Sequence, residues 1–314
     1  MEVGLYHPPY FLFNKHLETI YPALFRKVDL PPYRRERIVT PDDDFLDIDW
    51  LECGSDKLVI ISHGLEGNSQ RPYMKGMARA FFNNKYDVVS WNYRGCSEEM
   101  NRKLRFYHSG ATDDLDVVVQ HAGSRYKTVF LVGFSLGGNV TLKYLGEKGG
   151  DAGKVKGAAT FSVPLNLQGS CEQISLPSNK IYARRFLQSL KKKVIAKSKL
   201  MKGLDVTGIE RIATLMTFDD RYTAPLHGFK DAVHYYQSCS SLYFLQDIRV
   251  PTLIVNAKND PFLSNDCYPT HIDNPFVEFH FLEHGGHVGF AMFSQNGLYW
   301  SELRALQFIK AIEA

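Results

Sequence analysis

The pentapeptide Gly133-Phe134-Ser135-Leu136-Gly137 constrains this chain more than any other stretch. It follows the β-branched run Thr128–Val132 and leads straight into a helix-forming segment, Gly137–Gly146. A strand that turns so abruptly into a helix forces the central serine into a strained backbone angle. Only small residues on either side leave room for it. Gly-x-Ser-x-Gly in this setting predicts a nucleophile elbow, with the first amides of a helix aimed at whatever the serine attacks.

A serine hydroxyl is a poor nucleophile until a base takes its proton, so a histidine held by a carboxylate should follow in the order serine, acid, histidine. Asp260 lies in Asn256-Ala-Lys-Asn-Asp260-Pro261, just after the strand-like run Pro251–Asn256. Carboxylates in such loops gather at the carboxyl edge of a parallel sheet. Asp266, Asp219 and Asp220 compete with it, and its distance from the strand end favours Asp260. His287 lies in Glu283-His284-Gly-Gly-His287-Val-Gly289, after the run Val277–Leu282. Its flanking glycines let an imidazole approach a crowded backbone. His280 falls inside the run, and His284 sits too close to its end to reach the serine. His63-Gly64-Leu65-Glu66-Gly67 follows Leu58–Ser62 and completes the pattern. It predicts an oxyanion hole made by the backbone N–H groups of Leu65 and Leu136.

Strand-like runs at Lys57–Ser62, Asp87–Trp91, Thr128–Val132, Lys156–Ser162, Pro251–Asn256 and Val277–Leu282 alternate with helical stretches. The helices are expected at Arg71–Asn83, Gly110–Gly123, Gly137–Gly146, Pro225–Ser238 and Leu298–Glu313. This alternation predicts an α/β chain with a mostly parallel central sheet flanked by helices. Arg37–Thr40 and Phe45–Leu51 read as an edge hairpin. Residues 166–224 show no strand and are expected to form a helical cap insertion, leaving 1–165 and 225–314 as the core. The insertion carries Lys180, Arg184, Arg185, Lys191, Lys192, Lys193, Lys197, Lys199 and Lys202, with no acid between Glu172 and Asp205. Such a run reads as a solvated helix face; the sharper alternative is a weak contact with anionic substrates or membrane headgroups. Phe161, Val163, Pro164, Leu165, Leu187 and Leu190 are either acyl-pocket lining or ordinary packing.

Composition narrows the partners. A net charge of +3 is too mild to imply nucleic acid. Five cysteines, an odd count without a Cys-x-x-Cys pair, argue against a disulfide framework or a zinc site. No signal peptide and no apolar run of about 18 residues is evident, so a cytoplasmic location is expected and no metal is called for. Arg94, Arg102 and Arg105 read as structural or solvent-facing, and His108 as locally bonded. Asp113 and Asp114 suit a helix start, and Cys96 a small buried position.

The four elements in this order resemble the α/β-hydrolase superfamily across nearly the whole chain. Further segments narrow the resemblance to the YheT-like esterases, related to the abhydrolase-domain lipases of eukaryotes. They are Asn14-Lys-His-Leu-Glu-Thr-Ile-Tyr-Pro22, Asp44-Phe-Leu-Asp-Ile-Asp-Trp50, Asn92-Tyr-Arg-Gly-Cys-Ser97, Tyr107-His-Ser-Gly-Ala-Thr-Asp-Asp-Leu115 and Phe218-Asp-Asp-Arg-Tyr-Thr-Ala-Pro225. The resemblance implies a carboxylic-ester hydrolase with a helical lid and no cofactor, with Ser135, Asp260 and His287 as nucleophile, acid and base. Its substrate would be a small-molecule ester, including acylglycerols or other lipid esters. Acyl transfer to an alcohol and a non-catalytic binding module on the same scaffold are the competing readings. Glu18 departs from the branch, which favours glutamine there.

Overall fold

Near-continuous apolar runs become the strands of one eight-stranded sheet in a computed structural model of the protein, which describes residues 3–294 and 296–314. The strands are β1 (Arg34–Val39), β2 (Phe45–Leu51), β3 (Lys57–Ser62), β4 (Asp87–Asn92), β5 (Thr128–Phe134), β6 (Val155–Phe161), β7 (Thr252–Ala257) and β8 (Val277–Leu282). Their order across the sheet is β1-β2-β4-β3-β5-β6-β7-β8. β1 and β2 form an antiparallel hairpin that is antiparallel to β4; every pair from β4 onward is parallel. All residues of β4 and β7 are buried, as expected of strands covered on both faces.

The helices in chain order are α1 (Lys15–Phe25), α2 (Pro72–Asn83), α3 (Thr112–Gly123), α4 (Leu136–Lys148), α5 (Leu167–Ile174), α6 (Lys180–Leu200), α7 (Leu215–Phe218), α8 (Ala224–Leu226), α9 (Ala232–Cys239) and α10 (Trp300–Glu313). α2 and α10 bury Met74, Phe81, Trp300 and Ile309 against one face of the sheet. α3 and α4 bury Leu115, Val118, Val140 and Leu145 against the other. Between β6 and α9 the described residues contain helices and turns and no strand. Together with α9 this segment forms its own apolar cluster, including Leu187, Val194, Leu215, Phe218 and Tyr236.

Three sequence expectations change in detail. The helix expected over Pro225–Ser238 is broken: α8 ends before Gly228, whose φ is +79°, and Asp231 caps α9 by accepting from the His234 amide. β1 begins at Arg34, earlier than expected, because Arg35 and Arg37 each form two-point ion pairs across the hairpin, with Asp49 and Asp47. The basic run on α6 is only partly solvated. Lys197 is fully buried and donates to Asn101 Oδ1 at 2.6 Å and to the carbonyls of Lys103 and Arg105. Lys191 donates to the Ile212 carbonyl, and Lys193 turns toward Glu66.

Arg94 is structural, as the sequence suggests. Its guanidinium, at the end of β4, donates to Asp114 at the start of α3 and to Asp42 and Asp44 in the β1–β2 turn, at 2.7–3.1 Å. Asp44 and Asp114 are almost fully buried. Removing one partner of a buried ion pair leaves the other charge uncompensated. Arg94→Met is therefore expected to lower the unfolding free energy by about 3–5 kcal/mol in urea titrations at neutral pH.

Candidate active site

β5 delivers Ser135 through the turn the sequence predicts. Ser135 has φ +53° and ψ −121°, a conformation that costs on the order of 1–3 kcal/mol outside glycine. The turn closes because its glycines carry no side chain. A Cβ on Gly133 would lie 2.6 Å from the Gly137 carbonyl oxygen, and one on Gly137 would lie 2.4 Å from that of Ser62. Ser135 donates its amide to the Phe161 carbonyl at 2.9 Å, which ties the elbow to β6.

Loops from three strand ends meet at this serine. Ser135 Oγ lies 2.9 Å from His287 Nε2, and His287 Nδ1 lies 2.8 Å from Asp260 Oδ2. The other carboxylate oxygen of Asp260 accepts from the Phe262 amide at 2.8 Å, and the Phe262 ring packs 4.3 Å from the imidazole. The competing residues are engaged elsewhere. Asp266 accepts from Asn166, Asp220 from the Ala232 amide, and Asp219 from Tyr236 and Thr223. His280 packs beside Trp300, and His284 is mostly exposed beside Glu18. His108 accepts from the Gly110 amide and is kept neutral by burial.

Leu65 and Leu136 approach the serine from the ends of β3 and β5. The Leu136 amide is the first of α4, one of the N–H groups that a helix leaves without an internal acceptor. The neighbouring amides are spent: Gly64 donates to Tyr73, Glu66 to Tyr107, and Gly67 to the Gly64 carbonyl. His63 is a structural pin. Its Nε2 accepts from the Tyr93 amide, so Nδ1 carries the hydrogen donated to the Gly64 carbonyl. Burial lowers its pKa to about 3, which keeps it neutral.

Two groups of contacts lie outside what sequence spacing shows. The Glu18 carboxylate, 1% exposed, accepts from the Gly285 amide at 2.5 Å and from Asn259 Nδ2 at 3.0 Å. Asn259 in turn accepts from the Gly286 amide, and Thr19 Oγ1 accepts from the His287 amide at 2.9 Å. The first helix thus holds the histidine loop. Its only trace in the sequence is the acid at position 18 where a neutral amide was expected. The Glu66 carboxylate accepts from Tyr107 OH at 2.8 Å, from Lys193 Nζ at 2.7 Å and from Ser189 Oγ, binding α6 to the loop that carries Leu65.

A two-lobed cavity meets at Ser135. The inner lobe is lined mainly by apolar groups, among them Leu136, Pro164, Leu167, Ile174, Leu190 and Leu215. Pro164 and Leu190 reach it as candidate lining; Phe161, Val163, Leu165 and Leu187 are packing residues instead. The outer lobe is larger and is bounded by Ile20, Leu24, Arg71, Ile181 and Arg185. Leu65, Phe186, Phe262 and His287 border both lobes. Among the described residues no three His, Cys, Asp or Glu side chains converge as a metal site, and no helix is long and apolar enough to cross a membrane.

A parallel sheet with its serine at the carboxyl end of the central strand, and helices on both faces, defines an α/β hydrolase. Residues 54–269 match the Hydrolase_4 family, described as "Serine aminopeptidase, S33", and the chain belongs to this family of esterase- and lipase-like α/β hydrolases. It is 35% identical over 288 residues to the "Putative esterase YheT" of Escherichia coli (strain K12), covering 88% of this chain and 84% of that protein. It is 29% identical over 300 residues to the "Phospholipase ABHD3" of Bos taurus, covering 91% and 73% respectively. The Pyrococcus furiosus esterase Pf2001 shares the fold with a TM-score of 0.59 at 18% identity, over 91% of this chain and 98% of that one.

Asp219 lines the inner lobe, and burial pushes its carboxyl from the ordinary 3.8 up to about 6. Between those values the folded chain binds more protons than the unfolded one, so this group's contribution is full below pH 3.8 and declines as pH rises through 6. Asp219→Asn is expected to remove that component. Urea unfolding at pH 4 and pH 7 should show the wild type losing more stability across this interval than the variant.

Proposed function

We propose that the protein is a serine carboxylic-ester hydrolase that works through an acyl-enzyme. The hydrogen-bonded row Ser135–His287–Asp260, set between an apolar lobe and the amides of Leu65 and Leu136, carries this reading. His287 Nε2 takes the proton from Ser135 Oγ as the hydroxyl attacks the ester carbonyl carbon. Asp260 orients the ring through Nδ1 and stabilises the imidazolium. The Leu65 and Leu136 N–H groups stabilise the developing oxyanion, each such donor being worth roughly 2.7–4 kcal/mol in the transition state. The imidazolium then protonates the leaving alcohol. Water repeats the sequence to release the carboxylic acid and restore the serine. None of these steps calls on a cofactor.

The inner lobe suits an apolar acyl chain, and the larger outer lobe suits the alcohol part. A lipid ester of the acylglycerol or glycerophospholipid class fits that division, in keeping with a relative named as a phospholipase. Residues 166–224 would then act as the cap that closes the inner lobe over the core formed by 1–165 and 225–314. The family description also raises peptide hydrolysis. An aminopeptidase must hold a substrate ammonium group beside the serine, and the side chains bordering the outer lobe include Arg26, Arg71 and Arg185. Among the described residues its one carboxylate, Glu66, is already paired with Lys193.

Ser135→Ala is expected to lower kcat for a p-nitrophenyl ester by on the order of 10⁴ or more without loss of fold, and to abolish labelling by a fluorophosphonate probe. Full turnover in that variant would overturn the assignment. Glu18→Ala should release the histidine loop and lower kcat about a hundredfold with little change in KM. Glu18→Gln, whose amide oxygen can still accept from Gly285, should recover most of the activity; equal loss in both variants would make the negative charge the essential feature.

A further inference from the structure

α1 presents the C-terminal end of its apolar side outward: Leu24 and Phe25 are exposed, while Leu17, Ile20 and Tyr21 are half-buried. Leu17, Ile20, Tyr21, Leu24 and Phe25 follow the i, i+3, i+4, i+7, i+8 spacing of a helix face that would ordinarily be buried. The buried residues are instead Glu18, Thr19 and Pro22. Leu24 is 61% exposed and Phe25 65% exposed. The inversion has a cause already described: the polar side of the helix is committed to the histidine loop through Glu18 and Thr19.

The exposed face continues on both sides. Tyr21 packs on Phe25 and on Phe11, and Phe11 on Phe293, which is 73% exposed. Across the outer lobe, Ile181 at the start of α6 is 78% exposed. Tyr182, next to it, bonds His16 of α1 at 3.1 Å, so the two helices form one rim. Lys180, Arg184 and Arg185 flank Ile181 and are exposed. Apolar side chains projecting from a helix beside a cluster of cations match the requirements of an anionic lipid surface.

We propose that the outward face of α1, with Ile181 and its flanking cations on α6, docks the mouth of the cavity on an anionic lipid layer. The occupant follows from position. A protein seated on these side chains would cover the outer lobe that leads to Ser135. A lipid layer satisfies the same apolar surface and presents acyl esters at the opening. The choice of lipid rests on the ester-hydrolase reading; the exposed face itself does not.

The test is flotation of the full chain with vesicles of phosphatidylcholine alone and of phosphatidylcholine with phosphatidylglycerol. The wild type should float with the anionic vesicles. Phe25→Asp should weaken that partition by at least about tenfold, the scale of one buried aromatic side chain. The Lys180→Glu/Arg184→Glu variant should lose the preference for phosphatidylglycerol. None of these residues borders the cavity, so hydrolysis of a soluble short-chain p-nitrophenyl ester and the melting temperature should stay at wild-type levels. Because partition is read without turnover, loss of esterase activity and loss of docking are separate results. A wild type that does not float, or a Phe25→Asp variant that floats equally well, would overturn the proposal. A wild-type dimer that Phe25→Asp converts to a monomer would assign the face to a second copy of the chain.

Discussion

The 2.9 Å contact between Ser135 and His287 depends on two loops held in conformations that their residues do not favour. Ser135, Ser162 and Val288 all have φ between +53° and +56°, and Val288 is β-branched, for which that region is a genuine outlier. These residues support one another. Ser162 accepts from the Val288 amide at 2.9 Å, and Ser135 donates to the residue before Ser162. Strain of this kind persists only where the surroundings over-determine it. Here they do so through the packed ends of β5 and β6, where Phe134 and Phe161 are almost fully buried.

The histidine loop needs a further restraint, because it lies beyond the end of β8 and contains two consecutive glycines. That restraint comes from a helix about 270 residues earlier in the sequence. A buried carboxylate that accepts two N–H groups is well placed, since its remaining cost of burial is met by charge-assisted bonds. The same commitment explains why α1 leaves Leu24 and Phe25 exposed. A helix has one set of faces, and using the polar one internally leaves the apolar one for whatever lies outside.

The triad candidates were legible in sequence because each follows the carboxyl end of a strand, and strand ends are marked by apolar runs that stop abruptly. Ser135, Asp260 and His287 needed no knowledge of distant contacts beyond that rule. The sheet was legible for the same reason, since β3, β5 and β7 are continuous apolar segments. Glu18 and Glu66 were not legible as working residues. Their partners are backbone amides and side chains far along the chain, and an acid in a loop or first helix looks like any solvated acid. The basic run was misleading in the same way: carbonyl acceptors for Lys197 and Lys191 leave no mark in residue types. The break between α8 and α9 was visible in Gly228 but was outweighed by the helical period on either side.

α6 brings these observations together. Its start forms the rim of the outer lobe through Ile181 and Arg185, and its middle is bound by Lys193 and Ser189 to Glu66 in the loop that carries Leu65. Toward its end, Lys197 caps the carbonyls of the 103–105 loop from a fully buried position. Apolar contacts can slide, but a buried amino group that leaves its acceptors must be solvated or left unpaired, either of which is costly. α6 is therefore a strut spanning the site.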